Sequence, residues 1–263
     1  SCTGSAFCRS IKSIKSNQAS TTSLIFRGSP MASPFSFLIM FLSSSLLAVV
    51  SVVASSSRGG FVGLLVVLLV IWLFSPKKVT ALILVGLLSM VLYYSADTKY
   101  WDRISTATKT EEGTAKERLD SWTAGWNMFK DNPLGVGGMN FLVRFPEYQP
   151  ESMQRGMWGR AAHSLWFTLL PELGIFGVLI YGLLLSYNLR DIFRLKKLKN
   201  ETDTDYRYAY YLSLAFIASF AGYFASGTFL SVLYYPHYFY MTAIIVATKN
   251  LVGKKKVFVG SSI

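Results

Sequence analysis

The fold is decided by two uncharged stretches near the N-terminus, which read PFSFLIMFLSSSLLAVVSVVA over residues 34–54 and GFVGLLVVLLVIWLF over residues 60–74. A helix that crosses a bilayer needs about 20 mostly apolar residues. The strands of a soluble domain are runs of about four to eight apolar residues bounded by turns. Because both stretches are far longer than such strands and carry no charge, we predict that each forms a membrane-spanning helix.

Four further apolar stretches continue this pattern: residues 79–95, 164–185, 208–230 and, more weakly, 238–252. Over all 263 residues, 52% are hydrophobic and only 15% are charged, whereas soluble domains carry about 25% charged residues. The predicted fold class is therefore all-α, a polytopic transmembrane helix bundle with about six spans. A polar loop, residues 96–163, separates the third span from the fourth and is predicted to contain short helices.

The net charge of +12 indicates how such a bundle lies in the membrane. If the polar loop faces outside, the inner segments hold 16 basic and 4 acidic residues, while the loop holds nine of each. An excess of Lys and Arg marks cytoplasmic segments, so we predict that the loop is external and that both termini are cytoplasmic. Nucleic acid is not expected as a partner, because the excess is spread over four separate segments and does not form one basic face.

Composition divides the chain into a membrane domain and two tails. The N-terminal tail is rich in Ser, Thr and Lys, which is typical of disorder. Met31 would suit a natural start, and the residues before it would then be an artefact of the gene boundary. Cys2 and Cys8 both lie in this tail and exclude a disulfide framework. The predicted parts are a cytoplasmic tail at 1–33, a transmembrane domain at 34–252 with a cytoplasmic loop at 189–207, and a cytoplasmic tail at 253–263.

A first candidate site lies at the outer mouth of the second span, in the segment SSSRGG. Arg58 stands where the helix begins, with the serines at 55–57 as candidate N-caps. The free N–H groups of a helix N-terminus and a guanidinium together suit phosphate oxygens. Gly59 and Gly60 would let a phosphate approach the backbone. The alternative is that Arg58 extends to the lipid headgroups, and the sequence does not favour either interpretation.

A second candidate lies in the polar loop, where apolar residues recur at helical spacing from Leu119 to Phe129 and predict a short helix. Asn132-Pro133 and the glycines that follow would end this helix in a turn. Arg118 would project near its start, either toward a bound anion or into an ion pair with an acidic residue of the loop. The glycine-rich turn resembles a phosphate-binding loop only weakly, because the strand and the lysine of such loops are missing.

A third candidate is His163-Ser164, at the start of the fourth span. The ordinary pKa of histidine, near 6.5, suits a general base at neutral pH, although a single interfacial histidine is also a common polar anchor. Glu172 is an acid within an apolar run and is therefore a functional candidate. It lies about 180° from His163 on an ideal helix, so the two would share a face only if Pro171 kinks the helix. The alternative is that Glu172 pairs with Arg58.

Three segments of the chain form a recognisable pattern. They are HSLWFTLLPELGIFG at 163–177, SSSRGGF at 55–61, and Arg118-x3-Trp122 followed by the NPLGVG turn. Together they resemble the O-antigen ligase superfamily of bacterial membrane glycan transferases, over about residues 35–252. Two further segments, WDRISTATKTEEGTAKERLDSW and GTFLSVLYYPHY, are most similar to its exosortase-associated branch, whose members are described as O-glycosylation ligases.

This resemblance implies an activity, a location and a set of site residues. Members move a glycan from undecaprenyl diphosphate to a hydroxyl of an acceptor lipid, protein or glycan, at the periplasmic face of the bacterial inner membrane. By resemblance, Arg58 and Arg118 would bind the diphosphate and His163 would be the catalytic base, with all three facing one outer cavity. No metal or other cofactor is implied. The supporting positions would be Gly59, Gly60, Ser164 and Glu172.

Other interpretations stay open. A polysaccharide polymerase of the same superfamily would use the same kind of donor, whereas a membrane transporter or channel subunit would place facing charges in mid-membrane, and a scaffold would have no site. Tyr234, Tyr235 and His237 either line the outer cavity or belong to the interfacial aromatic belt, and we prefer the belt. Family members commonly have roughly twice as many spans, so the chain is expected to be a C-terminal half, either a fragment or a chain that needs a partner.

Overall fold

The computed structural model describes residues 34–55, 57–75, 116–150 and 160–260, with further positions between 77 and 90. Within these residues all regular secondary structure is helical, which confirms the predicted all-α class. A short 3-10 helix, Lys197–Asn200, lies between α5 and α6. In chain order the helices are α1 (Pro34–Ala54), α2 (Arg58–Phe74), α3 (residues 116–131), α4 (Phe141–Tyr148), α5 (Trp166–Lys196), α6 (Thr204–Gly227) and α7 (His237–Gly260).

Two of these helices are long and apolar enough to cross a membrane, namely α5 with the 3-10 helix that follows it, and α6. Helices α1 and α2 contain the shorter apolar segments Leu42–Val52 and Gly59–Phe74. The first predicted span has the bounds of α1, and each of α5, α6 and α7 contains most of one predicted span. The predicted span at 79–95 lies largely outside the described residues.

Helices α2 and α6 pack side by side in opposite directions, and glycines allow their close approach. A Cβ added at Gly63 would lie 2.9 Å from the Cβ of Ser226, and one added at Gly222 would lie 2.4 Å from Cγ2 of Val67. Membrane helices associate through such small residues because two backbones can then come into contact. The start of α2 is thereby fixed beside the end of α6.

Aromatic side chains fill the space between α5, α6 and α7. Tyr181 of α5 stacks on Tyr238 of α7, with ring centroids 4.5 Å apart. Phe224 of α6 meets Tyr181 edge-on, and it stacks on Trp166 at the start of α5. Such stacked and edge-to-face pairs add about 0.5–1.5 kcal/mol each beyond the burial of their area. The start of α5 and the end of α6 therefore lie at the same end of the bundle as the start of α2.

Helix α5 is interrupted at Gly174, which has φ 61° and ψ −162°, a backbone conformation that essentially only glycine adopts. The glycine-rich turn after α3 docks into this break. Its Val136 N–H donates to Pro171 O at 2.9 Å, and its Gly137 N–H donates to Glu172 O at 3.0 Å. In return, the Ile175 N–H donates to a carbonyl of the turn. The turn that weakly resembled a phosphate loop therefore uses its backbone to hold α3 and α4 on α5.

Candidate functional site

The backbones around the three predicted site residues come together at one end of the bundle. Beside Arg58, a Cβ added at Gly59 would lie 3.3 Å from the Cβ of Phe229, in the loop after α6. The ring of Phe229 lies 6.3 Å from that of Trp122, which is one helical turn after Arg118. Phe229 thus lies between the start of α2 and helix α3.

Trp122 joins the same helix to the segment that carries His163. Its indole Nε1–H donates to the carbonyl of Ala162 at 2.9 Å, and its ring stacks on Phe167 at 5.1 Å between centroids. Gly125, on the same face of α3, allows this approach, because a Cβ there would lie 3.1 Å from the carbonyl oxygen of Phe167. The position of α3 relative to His163 is therefore fixed by one hydrogen bond, one stacked pair and one close backbone contact.

His163 is an exposed residue with an unusual backbone, since its φ of 48° lies in the left-handed region. Its neighbours Ala162 and Ser164 are buried, and the Leu165 N–H donates to the carbonyl of Gly227 at 2.7 Å. A non-glycine residue in this region costs about 1–2 kcal/mol. Residues held in this way cluster at functional sites, and here the flanking contacts hold the strained conformation.

Although His163 is exposed overall, the partial burial of its imidazole, and then the charges of Arg118 and Arg160, lower its pKa below the ordinary value of 6.5. The two guanidinium groups are thus close enough for their charges to act on the imidazole. At neutral pH the lowered pKa keeps His163 uncharged, which is the form that accepts a proton. The structure therefore brings together two of the residues that the sequence singled out, Arg118 and His163.

Arg160 is a site residue that the sequence analysis missed. Its Nη2 lies 2.7 Å from Oε2 of Glu117, at the start of α3, and its side chain is only 17% exposed. Arg160 stands three residues before His163, and this proximity was the one signal that could have identified it. The ion pair gives a second attachment between α3 and the His163 segment.

The sequence analysis proposed Arg118 and Arg58 as phosphate-binding residues, and the structure describes their surroundings to different extents. Among the residues that the structure describes, Arg118 forms no ion pair with an acidic side chain. Arg58 is the first residue of α2, where Ser57 is the N-cap and accepts a hydrogen bond from the Gly60 N–H at 3.2 Å. The structure describes the backbone of Arg58 but not its side chain. The serine cap confirms one of the three candidate N-caps.

Ser164 and Glu172 have local structural partners. Ser164 is fully buried, and its carbonyl accepts a hydrogen bond from the hydroxyl of Thr168 at 2.7 Å.

Glu172 is 3% exposed, and its Oε1 accepts the Phe141 N–H at 2.9 Å. Its Oε2 accepts the N–H of Met139 and the hydroxyl of Tyr234. Both carboxylate oxygens thus receive donors from the segment that begins α4 and from the loop before α7. These contacts anchor α4. The backbone of α5 leaves the helical region at Gly174 and not at Pro171.

A cavity of about 180 Å3 lies next to the His163 segment. Burial, and then its hydrogen bond to Glu172, raise the pKa of Tyr234 on the cavity wall, so this phenol stays protonated. The oxygen of Ser231 is buried and makes no hydrogen bond within the described residues. Two of the three aromatic-belt candidates therefore face this cavity. Its lining residues are Met139, Phe141, Leu142, Ala161, Ala162, Thr168, Glu172, Ser231, Leu233, Tyr234 and Tyr235.

The helices and this end of the bundle define a helical membrane protein with a histidine and arginines at one end. The family model described as O-antigen ligase matches residues 43–182, more than half of the chain. The chain therefore belongs to the O-antigen ligase family, as the sequence motifs predicted. Together with the two membrane-length helices, this makes it an integral membrane protein whose family acts on lipid-linked glycans. No curated protein and no solved structure matches the chain.

The match covers every residue that was proposed as a site, from Arg58 to Glu172. It does not distinguish the exosortase-associated branch from others, so that assignment stays a prediction. Within the described part of the chain, no group of three or more His, Cys, Asp or Glu side chains is arranged to hold a metal ion.

Proposed function

We propose that the protein is a glycan ligase that transfers a glycan from undecaprenyl diphosphate to an acceptor hydroxyl at the outer face of the bacterial inner membrane. The acceptor oxygen attacks the anomeric carbon, the bond from that carbon to the diphosphate breaks, and undecaprenyl diphosphate leaves. His163 takes the proton of the acceptor hydroxyl. Attack from the face opposite the leaving group inverts the anomeric centre.

The observation that carries this proposal is the attachment of α3, which bears Arg118, to the His163 segment, through the Trp122 hydrogen bond to Ala162 and the ion pair of Arg160 with Glu117. A base that must work beside a diphosphate would normally gain a proton, because negative charge raises its pKa. Burial, and then the two guanidinium groups, lower the pKa of the imidazole and so oppose that effect. The same positive charge stabilises the negative charge that develops on the leaving diphosphate.

Arginine suits this role better than lysine, because its planar guanidinium makes two parallel hydrogen bonds to phosphate oxygens. In the proposal Arg118 binds the diphosphate directly, and Arg58 contributes from the start of α2. The expected approach of a phosphate to the backbone of Gly59 and Gly60 is not retained, because Gly59 is packed against the loop after α6 and the Gly60 N–H donates to Ser57. Arg160 is committed to Glu117, so it contributes charge and position. Ser164 and Glu172 support the site through the backbone contacts described above.

The proposal is tested by measuring glycan transfer by the full-length protein with a lipid-linked donor. His163→Ala should lower the rate at least a hundredfold, since a general base contributes about 10²–10⁴. Arg118→Ala should do the same, since the loss of one donor to the developing negative charge costs about 10²–10³. Arg144→Ala is the matched control for arginine, because Arg144 lies in the same external segment and pairs with Glu147 on the surface. His237→Ala is the control for histidine. Wild-type transfer by His163→Ala, with the protein folded, would refute the assignment.

The identity of the acceptor separates the two members of the superfamily that were considered. A ligase delivers the glycan to a lipid or protein hydroxyl, whereas a polymerase delivers it to another lipid-linked glycan. The transfer products should therefore contain the glycan on the non-polyprenyl acceptor. Products that remain on polyprenyl diphosphate and grow in length would instead indicate that the protein is a polymerase.

The proposed orientation places both termini in the cytoplasm and α3 and α4 in the periplasm. In a variant without Cys2 and Cys8, a single cysteine can be introduced at Lys130 of α3 or at Lys197 of the 3-10 helix, both of which are exposed. A membrane-impermeant maleimide added to cells with a permeable outer membrane should label the first position and not the second. Labelling at Lys197 alone would show that the protein has the opposite orientation in the membrane.

A further inference from the structure

A second and larger cavity, of about 970 Å3, lies at the opposite end of the bundle from His163. It opens where α2 ends and α6 begins. Along α6, Arg207 at this cavity and Gly227 beside the His163 segment are 20 residues apart, or about 30 Å, which is the thickness of a bilayer core. The cavity is lined by Ser45, Val67, Val70, Ile71, Phe74, Ser75, Lys199, Arg207, Tyr210, Tyr211, Leu214, Ala215, Ala218 and Ser219.

The deep part of this cavity is apolar and elongated. Its walls run along α2 from Val67 to Phe74, about 10 Å, and along α6 from Arg207 to Ala218, about 16 Å. The side chains between these limits are mostly Val, Ile, Leu and Ala. A soluble anion would gain nothing from such walls, whereas an acyl chain would bury its methylene groups against them.

The mouth of the cavity is basic. Lys199 and Arg207 bring two positive charges to it, and none of its lining residues is acidic. Asp203 does not line the cavity, and its side chain accepts the Asp205 N–H and caps the start of α6. The hydroxyl groups of Tyr210 and Ser75 add hydrogen-bonding partners at the same level.

We propose that this cavity binds an anionic phospholipid of the surrounding bilayer, with its phosphate at Lys199 and Arg207 and one acyl chain between α2 and α6. Basic pockets between membrane helices on the cytoplasmic side bind anionic headgroups in this way. The two cations select against a zwitterionic headgroup, because its ammonium group would be repelled. The lipid fills the space beside the Gly63–Gly222 contact and holds the cytoplasmic halves of the two helices together. This site is independent of the chemistry at His163.

The test is native mass spectrometry of the full-length protein with an equimolar mixture of phosphatidylglycerol and phosphatidylcholine of the same chains. The wild-type protein should retain phosphatidylglycerol at least tenfold more than phosphatidylcholine. The double variant Lys199→Gln/Arg207→Gln should lose this preference. The matched control Arg190→Gln/Lys197→Gln removes the same charge from exposed positions that do not line the cavity, and it should keep the preference.

A third variant tests the apolar part of the site. Ala215 lines the cavity and is exposed in the bare protein, so Ala215→Trp should fill the space without disturbing the core and should lower retention of phosphatidylglycerol at least fivefold. Equal loss of preference in both double variants would show non-specific charge attraction and overturn the site. Displacement of the lipid by millimolar inorganic phosphate would overturn the acyl-chain component. Unchanged glycan transfer by all variants would confirm that they are folded.

Discussion

Replacing Gly174 by alanine should separate α3 and α4 from α5. A Cβ at this position would lie 2.3 Å from the carbonyl carbon of Leu134 and 2.5 Å from the nitrogen of Gly135. Both are backbone atoms, so no side chain can rotate away. The φ of 61° with ψ of −162° is also unavailable to alanine. The turn must therefore leave the break in α5.

The magnitude follows from what the turn loses when it moves. Three backbone hydrogen bonds join the turn to α5, from Val136, Gly137 and Ile175. Each contributes about 0.5–1.5 kcal/mol, so the expected loss in the free energy of unfolding is about 2–4 kcal/mol. For a chain of this size the midpoint of thermal unfolding falls by about 2–4 °C per kcal/mol, which gives a decrease of about 5–15 °C. Transfer should fall at least tenfold, because small displacements of site groups are costly.

The assay combines thermal unfolding of the purified full-length protein in detergent with the transfer reaction. The matched control is Gly182→Ala, in the same helix, where an added Cβ meets nothing within 4 Å. This control should be neutral or stabilising by up to about 1 kcal/mol, since alanine is the better helix former. If Gly174→Ala were as stable and active as Gly182→Ala, the docking of the turn into α5 would be refuted.

Three further substitutions probe the attachments of the site and the helix pair. Trp122→Phe keeps the stacked ring but removes the hydrogen bond to Ala162. It should lower the rate of glycan transfer while reducing the free energy of unfolding by only about 1 kcal/mol, and the unfolding and transfer assays measure these two effects. Arg160→Gln removes positive charge and should raise the pKa of His163 toward 6.5, so that activity is lost at a higher pH as the solution is acidified. The pH dependence of diethyl pyrocarbonate labelling, in a background without the other histidine, measures this shift, and an unmoved profile would argue against the coupling. Gly222→Leu should destabilise the protein by about 1–3 kcal/mol, because it forces α2 and α6 apart, and an unchanged unfolding midpoint would show that these helices do not need this contact.

Much of the fold could be predicted because the sequence features involved are local. The bounds of α1 follow from the uncharged run alone, the serine cap of α2 follows from SSSRGG, and Asn132-Pro133 ends α3 as expected. The break in α5 was not predictable in the same way. Pro171 suggested a kink, but the backbone leaves the helical region three residues later, at Gly174, where the incoming turn supplies the missing hydrogen-bond partners. Those partners come from a distant segment that the local pattern does not reveal.

The residues of the candidate site likewise differ in whether local sequence patterns could predict them. The motifs predicted His163 and Arg118 as site residues, since a histidine at the start of an apolar run and an arginine at a helix start are local signals. Glu172 attracted attention as a charge in an apolar run, but its partners Phe141 and Tyr234 are 31 and 62 residues away. Arg160 was one of nine basic residues in the loop, and only its ion pair with α3 distinguishes it.

The break at Gly174 and the strained backbone at His163 both fix the position of Arg118 relative to His163. A base that accepts a proton from a hydroxyl must sit at a fixed distance from the leaving group, so both halves of the site need rigid support. Helix α3 carries one half, Arg118, and it is attached to α5 through the turn and to the His163 segment through Trp122. His163 is the other half, and the burial of its neighbours prevents its backbone from relaxing. An interfacial anchor would need none of these constraints, whereas the proposed base, held beside two guanidinium groups, would require them.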